Sequence, residues 1–141
     1  MYYLHPVKED KKRYLPLLLE ADPDEASIDG YLDPGMLYVM EVGGLEVAEA
    51  VVVPGPEGIC EVKSLAVAAP ERRKGHGSLM MENLFFLMAP QYRAMRVAVA
   101  PGLNRFFERL GFAAVDAAYL ERPLKVGCAC CEKEKKDAID I

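Results

Sequence analysis

Residues 59–84 place a strand, a basic glycine-bearing turn and a helix in immediate succession. The strand reads Ile-Cys-Glu-Val-Lys-Ser-Leu-Ala-Val, and Met80, Leu84 and Leu87 then recur at the spacing of one helix face. At such a junction the free N–H groups of the helix start and the positive end of its dipole converge. The stretch therefore predicts an anion site that suits a phosphate.

The turn itself carries both flexibility and charge. Gly75 and Gly77 lack a Cβ, so we predict that the backbone there takes positive φ and that an anion approaches the amides closely. Arg72, Arg73 and Lys74 add positive charge, and arginine can hold two phosphate oxygens at once. A solvated connection without a ligand is the alternative, because Gly-x-Gly alone is a weak motif.

Two motifs resemble those of the GNAT superfamily of N-acetyltransferases. Residues 72–77, Arg-Arg-Lys-Gly-His-Gly, match the Arg/Gln-x-x-Gly-x-Gly/Ala turn of its motif A, and the Leu65-Ala66-Val67 strand end and Pro70-Glu71 spacing are similar too. Residues 106–112, Phe-Phe-Glu-Arg-Leu-Gly-Phe, resemble the family's aromatic-Tyr-x-x-x-Gly-Phe motif. The two motifs occur in the family's order.

The resemblance implies an α/β (α+β) fold: a mixed, mostly antiparallel sheet with a splayed parallel strand pair and helices on both faces. The residues agree, since Gly43-Gly44 between two strand-like runs is a hairpin signal. The strand–helix–strand order over residues 59–100 also implies a right-handed crossover and a parallel pair. In the family, the pantetheine arm of acetyl-CoA lies between those two strands, beside a bulge expected near Leu65.

Acetyl-CoA is the co-substrate that the resemblance implies. The N–H groups of Leu65 and Val67 would bind the thioester carbonyl and the arm. Asn104 has two open roles, a cofactor contact or the N-cap of a helix over residues 103–110. The complete set of predicted cofactor-binding residues is Leu65, Ala66, Val67, Arg72, Arg73, Lys74, Gly75, His76, Gly77, Ser78, Asn104 and Phe107.

Two groups are predicted to act in catalysis, the Leu65 amide and the Glu61 carboxylate. A backbone N–H aimed at the developing oxyanion is often the largest catalytic contribution. Glu61 stands four residues before Leu65, where a subset of the family carries its catalytic glutamate. A carboxylate in a partly desolvated cleft can accept the amine proton. The alternative is that Glu61 is a surface partner of Lys63, two residues along on the same strand face.

Phe107 departs from the family pattern. Most members carry a tyrosine at this position that protonates the leaving thiolate, and phenylalanine cannot donate a proton. General acids typically contribute about 10²- to 10⁴-fold to the rate. Either Tyr119 or a water takes this role, or the chain is a catalytically weak or inactive acyl-CoA-binding module with a structural or sensory role.

The segments outside the motifs are predicted from local signals. Residues 8–21 have a helical pattern in which Pro16 marks a kink or the first turn, and Asp22-Pro23 is a predicted start for a helix over 24–32. In the family this helix pair borders the acceptor site, so Tyr31 and Leu32 contact substrate or simply pack. Further strands are predicted over residues 2–7, 36–42, 45–53, 92–100, 112–115 and 118–123.

Length and charge limit the remaining possibilities. The 141 residues predict one acetyl-CoA-binding domain, residues 1–124, and a charged tail, residues 125–141, with Cys128, Cys130 and Cys131. The tail thiols lack a fourth ligand, so no metal is predicted, and Cys60 is expected in the core.

The expected partner is a small-molecule or protein amine. A net charge of −5 disfavours nucleic acid, and no apolar run has transmembrane length. The start of the chain does not have the pattern of a signal peptide, so a cytoplasmic protein is expected. A homodimer is possible, because dimers are common in the family.

Overall fold

The computed structural model describes residues 1–124, which form seven strands and four α-helices with short 3₁₀ turns between them. In chain order they are β1 (Tyr2–Val7), α1 (Leu15–Ala21), α2 (Glu25–Leu32), β2 (Met36–Val42), β3 (Leu45–Pro54), β4 (Ile59–Val67), α3 (His76–Met88), β5 (Ala94–Ala98), α4 (Asn104–Arg109), β6 (Ala113–Ala114) and β7 (Tyr119–Pro123). The predicted tail, residues 125–141, lies outside the described residues. None of the helices in the described part is long and apolar enough to cross a membrane.

The strands form one mixed sheet in the order β1-β2-β3-β4-β5-β7-β6. The sheet is mostly antiparallel, and β4 and β5 are its parallel pair. This is the topology that the strand–helix–strand order of residues 59–100 predicts, because a helical crossover returns the chain in the same direction. The predicted fold class is confirmed.

The hairpin between β2 and β3 turns at Gly43 and Gly44, whose φ values are +59° and +86°. Two positive φ values in a two-residue loop match the right-handed twist of the flanking strands. The register runs from Met36 opposite Val52 to Val42 opposite Leu45, and it shifts between Met40 and Glu41. This bulge places Glu41 directly opposite Glu46.

Residues Met1–Gly55 and Glu61–Leu84 form one of two structural units. Its core packs α1 and α2 on β1, β2 and β3 through the buried side chains of Val7, Tyr14, Leu18, Ile28, Leu32, Leu37, Val39 and Val51. Pro16 lies in the first turn of α1, where its missing N–H costs nothing.

Asp24, not Asp22, caps helix α2. The Asp24 side chain accepts a hydrogen bond from the Ala26 N–H at 3.1 Å. Asp22 accepts from the Asp24 N–H at 3.1 Å, so it shapes the chain before the helix. The predicted cap was therefore two residues early, and the helix predicted over 24–32 begins one residue later, at Glu25. Both aspartates can serve as caps, and the sequence alone does not rank them.

The second unit consists of Pro56–Cys60 and the chain from Phe85 onward. In this unit β5 pairs with β7 in register from Ala94 opposite Pro123 to Ala98 opposite Tyr119. Gly111 ends α4 with a φ of +99°, as predicted for a helix stop. Cys60 is fully buried and burial raises its pKa to about 11, which confirms it as an unreactive core thiol.

Two glycines near the end of α2 should respond in opposite ways to alanine. A Cβ on Gly35 would lie 2.7 Å from the Tyr31 carbonyl oxygen and 2.7 Å from Val51 Cγ1, whereas a Cβ on Gly30 would meet nothing within 4 Å. We expect Gly35→Ala to destabilise the protein by about 1–3 kcal/mol through overpacking. Gly30→Ala should stabilise it by roughly 0.5–1 kcal/mol, because glycine costs entropy inside a helix. Urea unfolding measures both, and a Gly35→Ala variant as stable as Gly30→Ala would contradict the packing at residue 35.

Candidate functional site

The turn between β4 and α3 presents a set of backbone N–H groups. A 3₁₀ segment at Ala69–Glu71 follows β4, and α3 begins at His76. The bond from the Leu79 N–H to the Gly75 carbonyl, 3.0 Å, closes the first turn of α3. The amides of His76, Gly77 and Ser78 precede that bond, so they are the donors that a helix start leaves for a ligand.

Positive φ occurs at Arg73 and Gly75, with values of +65° and +84°. A Cβ on Gly75 would meet no protein atom within 4 Å, so its backbone conformation rather than crowding favours glycine there. Gly77 lies within the first turn of α3, and the positive φ predicted for it is wrong. The distortion was assigned to both glycines because Gly-x-Gly does not indicate which residue bends the chain.

The basic residues of the turn have different partners. Arg72 donates from Nε to the Val67 carbonyl at 3.0 Å and from Nη2 to Glu20 Oε1 at 2.6 Å, so its guanidinium holds the turn against the end of β4. Lys74 Nζ lies 3.2 Å from Glu71 Oε1, and His76 Nε2 lies 3.7 Å from the same oxygen. Arg73 is exposed. Exposed pairs of this kind contribute little to stability, and Lys74 can exchange its carboxylate for another anion.

On β4, Glu61 is mostly buried and Lys63 is exposed. Lys63 Nζ lies 3.3 Å from Glu61 Oε2, so the ion pair predicted as the alternative is present. The pair is only partly at the surface, because Lys63 is exposed whereas Glu61 is only 9% exposed. Leu65 and Val67 are half-buried, while Ala66 is buried.

Glu49 is a fully buried carboxyl in β3 that the sequence analysis missed. Its Oε2 accepts a hydrogen bond from Ser64 Oγ at 2.6 Å, and its Oε1 has no hydrogen-bond partner within residues 1–124. Burial raises the pKa of Glu49 to about 8, against the opposing effect of the Ser64 hydrogen bond. The signal was a lone acid within the apolar run Val-Ala-Glu-Ala-Val of a predicted strand. Such a carboxyl can gain or lose its proton near neutral pH.

Asp22 and Tyr31 extend this polar group. Tyr31 donates to Asp22 Oδ2 at 3.1 Å, and burial together with the Asp22 charge raises the pKa of Tyr31. Burial alone would raise the pKa of Asp22, but hydrogen bonds from Asp24, Ser27 and Tyr31 lower it below its usual value. Asp22 and Glu49 thus have pKa values shifted in opposite directions, the pattern that separates an anionic group from a proton carrier.

The other predicted acceptor-side residues have structural partners. Leu32 is part of the core, as the packing interpretation predicted. Lys12 binds the carboxylates of Glu25 and Asp29, each at 2.6 Å. Because Lys12 neutralises Glu25 and Asp29, a positively charged ligand would be attracted to Asp22 more than to these two carboxylates.

In the second unit, the predicted N-cap role of Asn104 is wrong. Leu103 is the N-cap of α4, and Asn104 Oδ1 accepts a hydrogen bond from the Ala100 N–H at 3.1 Å. The turn at Pro101-Gly102, where Gly102 has a φ of +85°, brings that amide back to the helix start. The amide side chain therefore stabilises the loop before the helix.

Phe107 is buried in a cluster of aromatic rings in the second unit. Its ring lies edge-on to Phe106 and Phe112, with centroid distances of 5.0 and 5.4 Å. Phe85 joins the cluster at 5.9 Å from Phe112. Tyr119, a predicted substitute proton donor, packs its ring under the Arg96 guanidinium at 4.3 Å.

A strand, a bent turn and a helix start with free amides are the elements from which α/β proteins commonly build anion sites. The sequence matches the family model "Acetyltransferase (GNAT) domain" over residues 33–114, more than half of the chain. The chain therefore belongs to the GNAT acetyltransferase family. No curated protein matched the sequence.

Solved structures of acetyltransferases share the fold. A GNAT family acetyltransferase from Elizabethkingia anophelis with acetyl-CoA bound is 21% identical, covers 87% of this chain and 98% of its own, and has a TM-score of 0.81. A Bacillus subtilis acetyltransferase in complex with CoA is 15% identical, with coverages of 90% and 100% and a TM-score of 0.76. The ribosomal-protein-S18-alanine N-acetyltransferase from Escherichia coli is 13% identical, with coverages of 94% and 99% and a TM-score of 0.73.

Glu49 should make the stability of the protein depend on pH. Its folded-state pKa is raised, so its contribution to the free energy of unfolding is complete below the unfolded pKa of about 4.3 and is lost as pH rises through about 8. We expect Glu49→Gln to remove this loss, so the variant gains stability relative to the unsubstituted protein as pH rises from about 4.3 to about 8, on the order of a few kcal/mol.

Urea unfolding at several pH values measures this difference. Glu82→Gln is the matched control, because Glu82 is exposed on α3. If the two glutamine variants show the same pH dependence, Glu49 does not titrate as its burial indicates.

Proposed function

We propose that the protein transfers an acetyl group from acetyl-CoA to an amine acceptor by direct attack. The observation that carries this proposal is the turn of residues 72–78, where positive φ at Arg73 and Gly75 leads into the free amides of α3. Membership of the GNAT acetyltransferase family supports acetyl-CoA as the co-substrate. The acetyl-CoA and CoA complexes of structural neighbours agree with it.

In this proposal the diphosphate of CoA binds the amides of His76, Gly77 and Ser78. Arg73 and Lys74 add positive charge, while Arg72 holds the turn in shape through Val67 and Glu20. The amides of Leu65 and Val67 bind the thioester carbonyl and the pantetheine arm, beside Ala66. Asn104 and Phe107 remain predicted cofactor contacts.

The helix start can be tested by a branched side chain at residue 77. Gly77→Val should weaken CoA binding at least tenfold, because its methyl groups would cover the neighbouring amides, as in other anion sites at helix starts. Isothermal titration calorimetry with CoA measures the affinity, and circular dichroism checks the fold. Gly30→Ala is the control, since it changes a glycine of α2 that the proposal leaves out. Unchanged CoA affinity in a folded Gly77→Val variant would show that the diphosphate binds elsewhere.

Glu61 is the proposed general base. The amine nitrogen attacks the thioester carbonyl carbon, the C–S bond breaks, the amine proton passes to Glu61 and the thiolate takes a proton from solvent. The position of Glu61 supports this role, because the residue is only 9% exposed and lies on β4 four residues before Leu65.

Glu61→Gln should lower kcat by about 10²- to 10⁴-fold, the usual contribution of a general base, with little change in the KM for acetyl-CoA. Lys63→Met is the matched control, because it removes the ion pair but keeps the carboxylate. If Glu61→Gln and Lys63→Met lower kcat equally, Glu61 acts through its ion pair with Lys63 and is not the general base. Release of the CoA thiol gives the rate.

An acyl-CoA-binding module with little or no turnover is the second candidate, and Phe107 favours it. The aromatic cluster around Phe107 consists of Phe85, Phe106 and Phe112, and none of these side chains can donate a proton. A panel of small amines and peptides with acetyl-CoA separates the two candidates. Tight acetyl-CoA binding without thiol release above background would establish the module.

For the acceptor we propose a small-molecule or protein amine that reaches Asp22 and Tyr31. Asp22 supports a cationic acceptor, since hydrogen bonds keep it ionised. The cytoplasmic location and the homodimer remain predictions from the sequence, as does the absence of nucleic-acid and membrane partners.

A further inference from the structure

Three side chains that commonly bind metals converge on β1, β2 and β3. His5 lies on β1, Glu41 on β2 and Glu46 on β3. One ligand atom from each lies within 4.8 Å of the other two, and His5 Nε2 is 3.2 Å from Glu41 Oε2. All three belong to the first structural unit.

A bulge in β3, where Val47 is the extra residue, creates this arrangement. Met40 lies opposite Ala48, but the register then shifts and Glu41 lies opposite Glu46. Like charges directly opposite each other destabilise a sheet, and bulges often re-aim side chains at functional sites. A bound divalent cation would convert this repulsion into an attraction.

His5 has a donor atom directed into the cluster. Its Nε2 is shielded from solvent and has no hydrogen-bond partner within residues 1–124, although Glu41 is near. A buried polar atom without a partner is costly. A neutral imidazole nitrogen in this position is a good metal ligand.

Two tyrosines and one arginine surround the carboxylates. Tyr14 donates its phenol to Glu46 Oε2 at 2.6 Å, and Tyr3 is hydrogen-bonded to Glu41. Arg13 donates to the Tyr14 oxygen at 3.2 Å and balances part of the Glu46 charge. Donors that orient ligating carboxylates are a regular feature of metal sites.

We propose that His5, Glu41 and Glu46 bind one Zn²⁺ ion, with a water molecule as the fourth ligand. An imidazole and two carboxylates suit zinc, and the two negative charges match those of the ion. Zinc at about 2.0–2.2 Å from each ligand requires the three atoms to move to roughly 3.4 Å from one another. Glu46 can make most of this movement, because it is exposed. The ion would fasten β1 to the hairpin of β2 and β3.

The test uses the full chain in which Cys128, Cys130 and Cys131 are replaced by serine, since thiols are zinc ligands in general and would compete with the proposed site. Competition with a chromophoric chelator should give one Zn²⁺ per chain, and saturating zinc should raise the Tm. Tyr14→Phe should weaken binding by about 10- to 100-fold, the usual effect of losing an outer partner. His5→Gln, Glu41→Gln and Glu46→Gln should weaken it at least as much.

His76→Gln is the matched control, because His76 is the other histidine and lies near a single carboxylate, Glu71. It should bind zinc like the parent chain. Glu46→Gln changes an exposed side chain, so a folding defect will not mask its result. Absence of zinc binding, or binding that His5→Gln and Glu46→Gln leave unchanged, would overturn the proposal. Neither outcome depends on acetyl transfer.

Discussion

In the proposed cofactor site, the backbone path from Val67 to His76 positions the amides that would bind the diphosphate. Two hydrogen bonds fix its first part: the Ala68 N–H donates to the Val47 carbonyl at 2.8 Å, and Arg72 Nε donates to the Val67 carbonyl at 3.0 Å. Arg73, which follows them, has a positive φ, a conformation that costs a non-glycine residue about 1–3 kcal/mol and persists only where its surroundings impose it. The Arg72 side chain contributes to the shape of the turn through its bonds to Val67 and Glu20.

The two buried carboxyl groups of β3 and β4 are stabilised in different ways. Glu61 keeps a cation, Lys63, within 3.3 Å, whereas Glu49 has one hydroxyl donor and avoids the cost of a buried charge by taking up a proton. Side chains alternate along a strand, so Glu61 and Ser64, the partner of Glu49, lie on opposite faces of β4. Glu49 therefore cannot replace Glu61 from its present position. It connects instead with Tyr31 and Asp22 on the side of the first two helices.

Local signals in the sequence predicted most of the fold. The Gly43-Gly44 hairpin, the β4–turn–α3 sequence and the stop at Gly111 each depend on residues within a few positions of one another. The site was harder to predict, because its side chains meet partners far along the chain. Arg72 binds Glu20, 52 residues away, and Ser64 binds Glu49, 15 residues away. Asn104 was also difficult to assign, although its partner is only four residues away. An asparagine suits both a helix cap and a loop contact, and the turn at Gly102 determines which of the two it makes.

The His5, Glu41 and Glu46 cluster depends on a still less visible feature. No spacing in the sequence joins these residues, and a regular register would have placed Val47 opposite Glu41, since Met40 faces Ala48. A single extra residue in β3 exchanges that valine for Glu46 and brings two carboxylates together beside an imidazole. Opposed like charges weaken a sheet. Tyr14 and Tyr3 are hydrogen-bonded to the two carboxylates, and the proposed cation would offset the repulsion that remains between them.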